Sequence, residues 1–326
     1  MIALPNADAD GGEGVPKGIS KKKDTIRSHI ISICSSAIFV LLLLLLDTGF
    51  VNCAPHPEGS GDPRIDANQL VREVIQNELQ AQAGDQTHWR YRELERHNGR
   101  EELRDVIETQ FGEIHRLLAV NREPLTSSEN RREDARLQKL KAHPDGIVKQ
   151  QKKQNEDSEK ESQLLQIFPR AFYFQYAGME KNLVRLSFKP NPHFHPSRRE
   201  GQVFHHMSGT MWIDAGQQRL AGIDGDLTGE VRFGGGLLGR LDKGGTFSVR
   251  LEDVGSGHWG LKSLDIHMKG RALIFKTISV QQGEYCTDYQ SVPSHMPLAR
   301  AVQLLLADSS ASAQALHQDF PGIGEP

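Results

Sequence analysis

The chain has 326 residues, 37% hydrophobic and 25% charged, with a net charge of −3. This length suits one large domain or two small ones, and the composition supports a real core. There is no basic excess of the kind that binds nucleic acid. Of the three cysteines, two lie in or beside an apolar run near the N-terminus, which excludes a disulfide framework.

In chain order, residues 1–53 read as a disordered n-region followed by an export signal. KKKDTIR at 21–27 is basic, IISICSSAIFVLLLLLL at 30–46 is apolar, and Asp47 ends the run. Cleavage fits after Cys53 or Ala54. Lipidation at Cys53 lacks the small preceding residue, since that position is Asn52. The 17-residue run could also stay as a short membrane anchor through residues 30–46. Either outcome predicts an exported, periplasmic chain. APHPEGSGDPRI at 54–65 is a Pro/Gly linker, and residues 66–306 are expected to form a single domain.

That domain opens with an amphipathic helix. Asp66 and Gln69 resemble a capping box, and Ala67, Leu70, Val71, Val74, Ile75 and Leu79 share a face. Strands are expected at 88–96, 102–110 and 113–120, with a hairpin at Asn98-Gly99. Residues 127–168 are densely charged with mixed signs. They predict two helices broken near Pro144-Asp145-Gly146, inserted as a solvated element or a partner-binding arm. Leu137, Leu140, Leu164, Leu165 and Phe168 are the residues that would pin them down.

From residue 169 the pattern alternates with period two, as in antiparallel sheets with one wetted face. AFYFQYAG, NLVRLSF, a hairpin GTMWIDAGQQRLAGIDGDL turning at Ala215-Gly216-Gln217, and TFSVRLEDV follow one another. Two more strands follow in 258–285, with their turn expected near Lys269-Gly270. MPLARAVQLLL at 296–306 reads as a short helix, and 307–326 as a disordered tail.

Few residues point to chemistry. NPHFHPSRREGQVFHHM at 191–207 holds His193, His195, His205 and His206, weak metal candidates that lack a cysteine or a clear acid beside them. Its proline bracketing favours a loop at the rim of a sheet, with strand resuming at Gln202. FGGGLLG at 233–239 lacks the lysine and helix of a phosphate loop. Asp224, Asp226 and Glu230 lack calcium-loop spacing. Cys286 has no evident activating partner and reads as structural. No motif for a cofactor or a catalytic nucleophile is present. The aromatic residues are more informative. Trp89, Phe172, Phe174, Phe188, Trp212, Phe233, Phe247, Trp259 and Phe275 fall mostly on alternating strand positions. They either fill a core or, with a lip at Leu237 and Leu238, line an apolar cavity in a curved sheet.

The order of export signal, helix, β-meander, helical insertion and long antiparallel sheet resembles the LolA/LolB superfamily of envelope lipoprotein carriers. SGTMWIDAGQQRLAGIDGDL at 208–227 is the segment most similar to it. FKPNP, GTMWID, FGGGLLG and FKTISVQQ also look like exported proteins of soil bacteria such as Acidobacteria that carry no assigned activity. The resemblance implies an α+β fold: a strongly curved antiparallel sheet, or half-barrel, with helices on its concave face and the charged helical insertion added. It further implies a non-enzymatic protein holding a lipid, a lipoprotein acyl chain or another apolar ligand. Two other readings are an envelope interaction or sensor module with a filled core, binding its partner through 127–168, and a metal-dependent hydrolase built on the four histidines.

Overall fold

The computed structural model describes residues 66–84, 86–196, 200–233, 236, 239–255, 257–272 and 276–307. The export segment, the linker, the tail from 308, and the candidates Leu237, Leu238 and Phe275 lie outside the described residues.

Helix α1 (Ala67–Gly84) starts where Asp66 Oδ1 accepts hydrogen bonds from the backbone N–H groups of Asn68 and Gln69, both at 3.0 Å. Only that half of the expected capping box forms, because the Gln69 side chain turns to Glu73 and Arg72 instead. The meander follows as β1 (His88–His97), β2 (Arg100–Thr109), β3 (Gly112–Val120) and the two-residue β4 (Glu123–Pro124). The charged segment forms α2 (Ser127–Ala142) and α3 (Asp145–Ala171), separated at His143-Pro144. A complete capping box between Thr126 and Glu129 starts α2.

The second half contains β5 (Phe172–Glu180), β6 (Leu183–Pro190), a 3-10 turn at Glu200–His206, β7 (Met207–Asp214) and β8 (Arg219–Leu227). Then come β9 (Val231–Phe233), β10 (Gly239–Leu241), β11 (Thr246–Gly255), β12 (His258–Ala272), β13 (Lys276–Val292) and α4 (Leu298–Ala307). Two local expectations are corrected. The chain does not resume a strand at Gln202; it coils in a 3-10 turn that buries Val203 and Phe204 and becomes β7 at Met207. Lys269-Gly270 is not a turn but lies inside β12. Gly270 sits there because a Cβ would meet the Arg240 carbonyl of β10 at 2.2 Å.

All strands join one open antiparallel sheet ordered β4-β3-β2-β1-β13-β12-β11-β8-β7-β6-β5, with β10 beside β12 and β9 beside β10. The fold is α+β. Cross-strand register puts Phe174, Phe188, Gly209, Gly225, Phe247 and Ile266 on one face in successive strands. The two glycines make that row possible. A Cβ on Gly225 would lie 2.1 Å from the Phe247 ring, and one on Gly209 would lie 2.8 Å from Phe188. Helices α1 and α3 touch each other, and both contact β5; α1 also contacts β8, and α3 also contacts β3. The buried positions of α1 are Ala67, Val71, Val74 and Ile75. On the opposite face of β2 and β3, Ile107 and Ile114 pack with Leu137 of α2, Ile147 of α3 and Ala301, Val302 and Leu305 of α4. No helix among the described residues is long and apolar enough to cross a membrane.

The outer edge of β3 shows what part of the insertion does. Leu117 donates its N–H to Glu133 Oε1 of α2 at 2.8 Å, and Arg136 donates to the His115 carbonyl. Arg136 also pairs with Glu133. Helix side chains thus satisfy strand groups that would otherwise template another strand. Glu133→Ala is expected to cost about 1–3 kcal/mol in urea unfolding, since it leaves the Leu117 N–H without its acceptor. It should also raise self-association in sedimentation experiments.

Candidate functional site

The candidate site is a cavity of about 510 Å³ between α1, α3 and the sheet. Its floor crosses six adjacent strands. Glu108 comes from β2, Trp89 from β1, Tyr289 from β13, Leu261 from β12, Val249 and Leu251 from β11, and Leu220 and Ile223 from β8. Glu78, Ala81 and Gln82 of α1, and Glu161 and Leu165 of α3, form the cover.

Specific hydrogen bonds hold the cover in place. Glu78 receives both Nε and Nη2 of Arg219, at 2.8 and 2.9 Å, and also the Leu220 N–H. This tie falls where β8 has left β11, whose pairing with it ends at Gly222–Arg250. Gln82 bonds Ser158 and Ser162 and so fastens α1 to α3. At the aromatic end, Trp89 donates its backbone N–H to Glu108 Oε2 at 2.9 Å. Its ring stands edge-on to Tyr289 at 6.1 Å and to His258 at 5.6 Å.

A β-bulge sets that aromatic end. The β1–β13 register slips between Arg90 and Arg92, and Asp288 adopts a left-handed φ of 58° there. Strict alternation after Glu284 and Cys286 would put Asp288 on the cavity face. The extra residue puts Tyr289 there, stacked on Tyr91 at 5.1 Å.

The sequence-derived aromatic residues separate into three environments. Phe172, Phe174 and Phe188 do not line the cavity; they pack with Phe168 and Phe204 at centroid distances of 4.9–6.3 Å. Phe233 and Phe247 are also buried in packing. Trp212 is on the opposite face, with the Arg250 guanidinium 4.5 Å above its ring. Of the described candidates, Trp89 and Trp259 line the cavity. Sequence reading missed Tyr289, Glu108, Glu161 and the aliphatic floor. Glu108 and Glu161 looked like ordinary charges in a polar strand and helix, yet Glu161 is only 4% exposed.

The four histidines do not converge. His195 and His205 face one another at 6.5 Å between ring centroids, while the His206 ring packs over Gly229. Burial, then the neighbouring His206 and His195, lowers the His205 pKa. Among the described residues no set of three His, Cys, Asp or Glu side chains is placed to hold a metal ion. Cys286 is buried in β13, and Asp224 and Glu230 are paired with Arg250 and Arg232.

Beyond the cavity, β1 continues on the same face with Glu93 and Glu95, both facing the buried Arg104 of β2. Burial opposes the Arg104 charge, but Glu93, Glu95 and Glu102 outweigh it and raise its pKa. Burial raises Glu95 despite Arg104. Partly buried His115 is held well below its ordinary 6.5 by lost solvation, then by Arg104 and Arg136.

Compared with family models, curated proteins and solved structures, the chain matches none.

Two outcomes follow from this map. Phe172→Ala should lose about 3–5 kcal/mol of stability in denaturant unfolding, as a packed core ring would. The folded state refuses the His115 proton that the unfolded chain accepts. Stability should therefore fall as pH drops from about 6.5 toward the lowered value, by at most about 1.4 kcal/mol per pH unit. Glu95 acts oppositely: its contribution is complete below 4.5 and lost as pH rises through its raised value. His115→Gln should flatten the His115 part of an unfolding-versus-pH profile and leave the Glu95 part.

Proposed function

We propose that this protein is a non-enzymatic carrier or receptor that holds one apolar chain in the α1–α3 cavity. The observation that carries this reading is the floor: aromatic and aliphatic side chains from six neighbouring strands lie beneath two helices. Its volume of about 510 Å³ falls within the range of small-molecule sites, roughly 300–1,000 Å³. Five strand spacings give the floor a length of roughly 24 Å.

In this reading the sheet curls as a half-barrel about α1 and α3, and the protein acts in the cell envelope after export through the 21–46 segment. A lipid or a lipoprotein acyl chain is the ligand class. The binding interactions are side-chain packing and loss of water, worth roughly 25 cal/mol per Å² of apolar surface buried. The lining also holds a hydroxyl–imidazole contact, Thr87 Oγ1 to His258 Nε2 at 3.1 Å, which this reading takes as part of the wall. The exposed charged face of α2 and α3 would serve a protein partner receiving the cargo.

Native mass spectrometry of the intact chain should show a bound mass in the lipid range that organic extraction removes. Ile223→Trp, which fills the floor, should abolish uptake of a fluorescent alkyl-chain probe while unfolding stays cooperative; Ile223→Ala should keep it. Undiminished uptake by the tryptophan variant would remove the cavity from the reading.

A further inference from the structure

We propose that the bend between α2 and α3, together with the β2–β3 turn, is a docking surface for an anionic lipid bilayer. The inference does not depend on what the α1–α3 cavity holds.

The charges of the insertion are mixed in total but sorted along it. Residues 139–153, which close α2 and open α3, contain Lys139, Lys141, Lys149, Lys152 and Lys153 against one carboxylate, Asp145. Acidic residues return at Glu156, Asp157 and Glu159, so the remainder of α3 carries both signs. All five lysines are exposed. Among the described residues none of them is held in an ion pair, whereas Lys160 is paired with Asp157. The break at His143-Pro144 keeps the two helix ends together, so the five ammonium groups share one corner. Lys149 and Lys153 stand four residues apart, a like-charge pair that weakens a helix in water and gains when it meets an anionic surface.

The second observation is apolar. Phe111, 38% exposed, and Val148, 51% exposed, are two of the three large hydrophobic side chains exposed among the described residues. They belong to one place. A Cβ on Gly112 would lie 2.8 Å from Gln151 Oε1 and 3.1 Å from Ile147 Cγ2, so the β2–β3 turn and the start of α3 touch there. Phe111 precedes Gly112 and Val148 follows Ile147, so both flank this contact. Val148 and Lys152 are four residues apart and share a helix face. Glu113, half-buried beside Gly112, is the one further carboxylate next to this contact in sequence.

Exposed apolar side chains ringed by lysines match the two layers of a bilayer surface. Phe111 and Val148 would enter the acyl boundary while the flexible lysine stems carry their charges to the phosphates. No arginine lies in 139–153. Lysine acts as a mobile point charge, which suits a fluid array of phosphate groups better than one fixed set of carboxylates. The cavity wall at Glu161 is roughly 20 Å further along α3, so the two surfaces can be altered separately.

The test is co-sedimentation of the full chain with phosphatidylcholine vesicles, with and without phosphatidylglycerol, at low and high salt. Binding to the anionic vesicles should exceed binding to the neutral ones and fall as salt rises. Lys149→Gln/Lys152→Gln/Lys153→Gln should weaken anionic-vesicle binding about tenfold or more. Lys189→Gln/Lys243→Gln/Lys269→Gln removes the same charge from exposed positions on β6, the turn before β11 and β12, and should leave binding unchanged. Phe111→Ser/Val148→Ser should weaken binding without altering its salt dependence. Cooperative unfolding of each variant checks that the fold is intact. Phe111→Trp reports the place directly: brominated lipid should quench its added emission, which contact through residues 21–46 would not do. Equal loss in both lysine triples would reduce the effect to net charge. Unchanged binding by the Lys149 triple would leave the basic corner to an acidic protein partner. An unquenched tryptophan on bound vesicles would put the contact elsewhere. Each of these three results would overturn the proposal.

Discussion

An antiparallel sheet that does not close leaves two edges to satisfy and an apolar face wider than one helix can cover. Much of this molecule answers that constraint. Beyond its short pairing with β4, the outer side of β3 is served by Glu133 and Arg136 of α2, which bond the strand backbone as a neighbouring strand would. The covered face needs both α1 and α3, held together by Gln82, Ser158 and Ser162. Glu78 holds the far end of α1 on β8, at the point where β8 and β11 separate. The densely charged insertion is therefore part of the fold, not an appendage to it. Its apolar residues Leu137, Leu164 and Phe168 are buried, whereas most of its charges, the buried Glu161 apart, stay in solvent or pair at the edge.

Under this cover the same sheet face behaves differently along its width. At β5, β6 and β7 five phenylalanines close on one another and leave no room between helix and sheet. Glycines at 209 and 225 let the Phe188 and Phe247 rings lie against the backbone. From β8 to β2 aliphatic and aromatic side chains line the face, and the cavity lies beneath α1 and α3. Farther along β1 the face turns to Glu93, Glu95 and Arg104, a buried ionic group that needs its own partners and cannot collapse into the cavity. Packed rings at one end and fixed charges at the other bound the site.

The cavity carries polar groups that no recognisable sequence motif marks. Its polar groups come from elements far apart in sequence: β2, α3, α1 and β8. None has a neighbour in the chain that would mark it. Their meaning comes from being brought to one cavity that also carries aliphatic and aromatic side chains.

Much of the architecture was legible in the residues. The period-two alternation of β1 to β3 and β5 to β8 carries its own face assignment, and Asn98-Gly99 forces the first hairpin through left-handed backbone at both positions. The break at His143-Pro144 and the stripe on α1 were equally plain, because helix periodicity and proline act locally. The 3-10 turn at Glu200–His206 and the length of β12 were not legible: the first depends on burying Phe204 under Phe168 and Phe172, the second on β10 lying against Gly270. The candidate site was half legible. Trp89 and Trp259 could be named, but period two alone could not separate them from the phenylalanines of the core, or show that Trp212 faces the other way. Tyr289 reaches the cavity only because one bulge at Asp288 reverses the alternation, and Glu161 matters only because α3 turns it inward over strands 50 and more residues away. Local pattern determined which segments are strands and helices; which side chains share a buried space was decided by register and packing, which no single stretch of the chain contains.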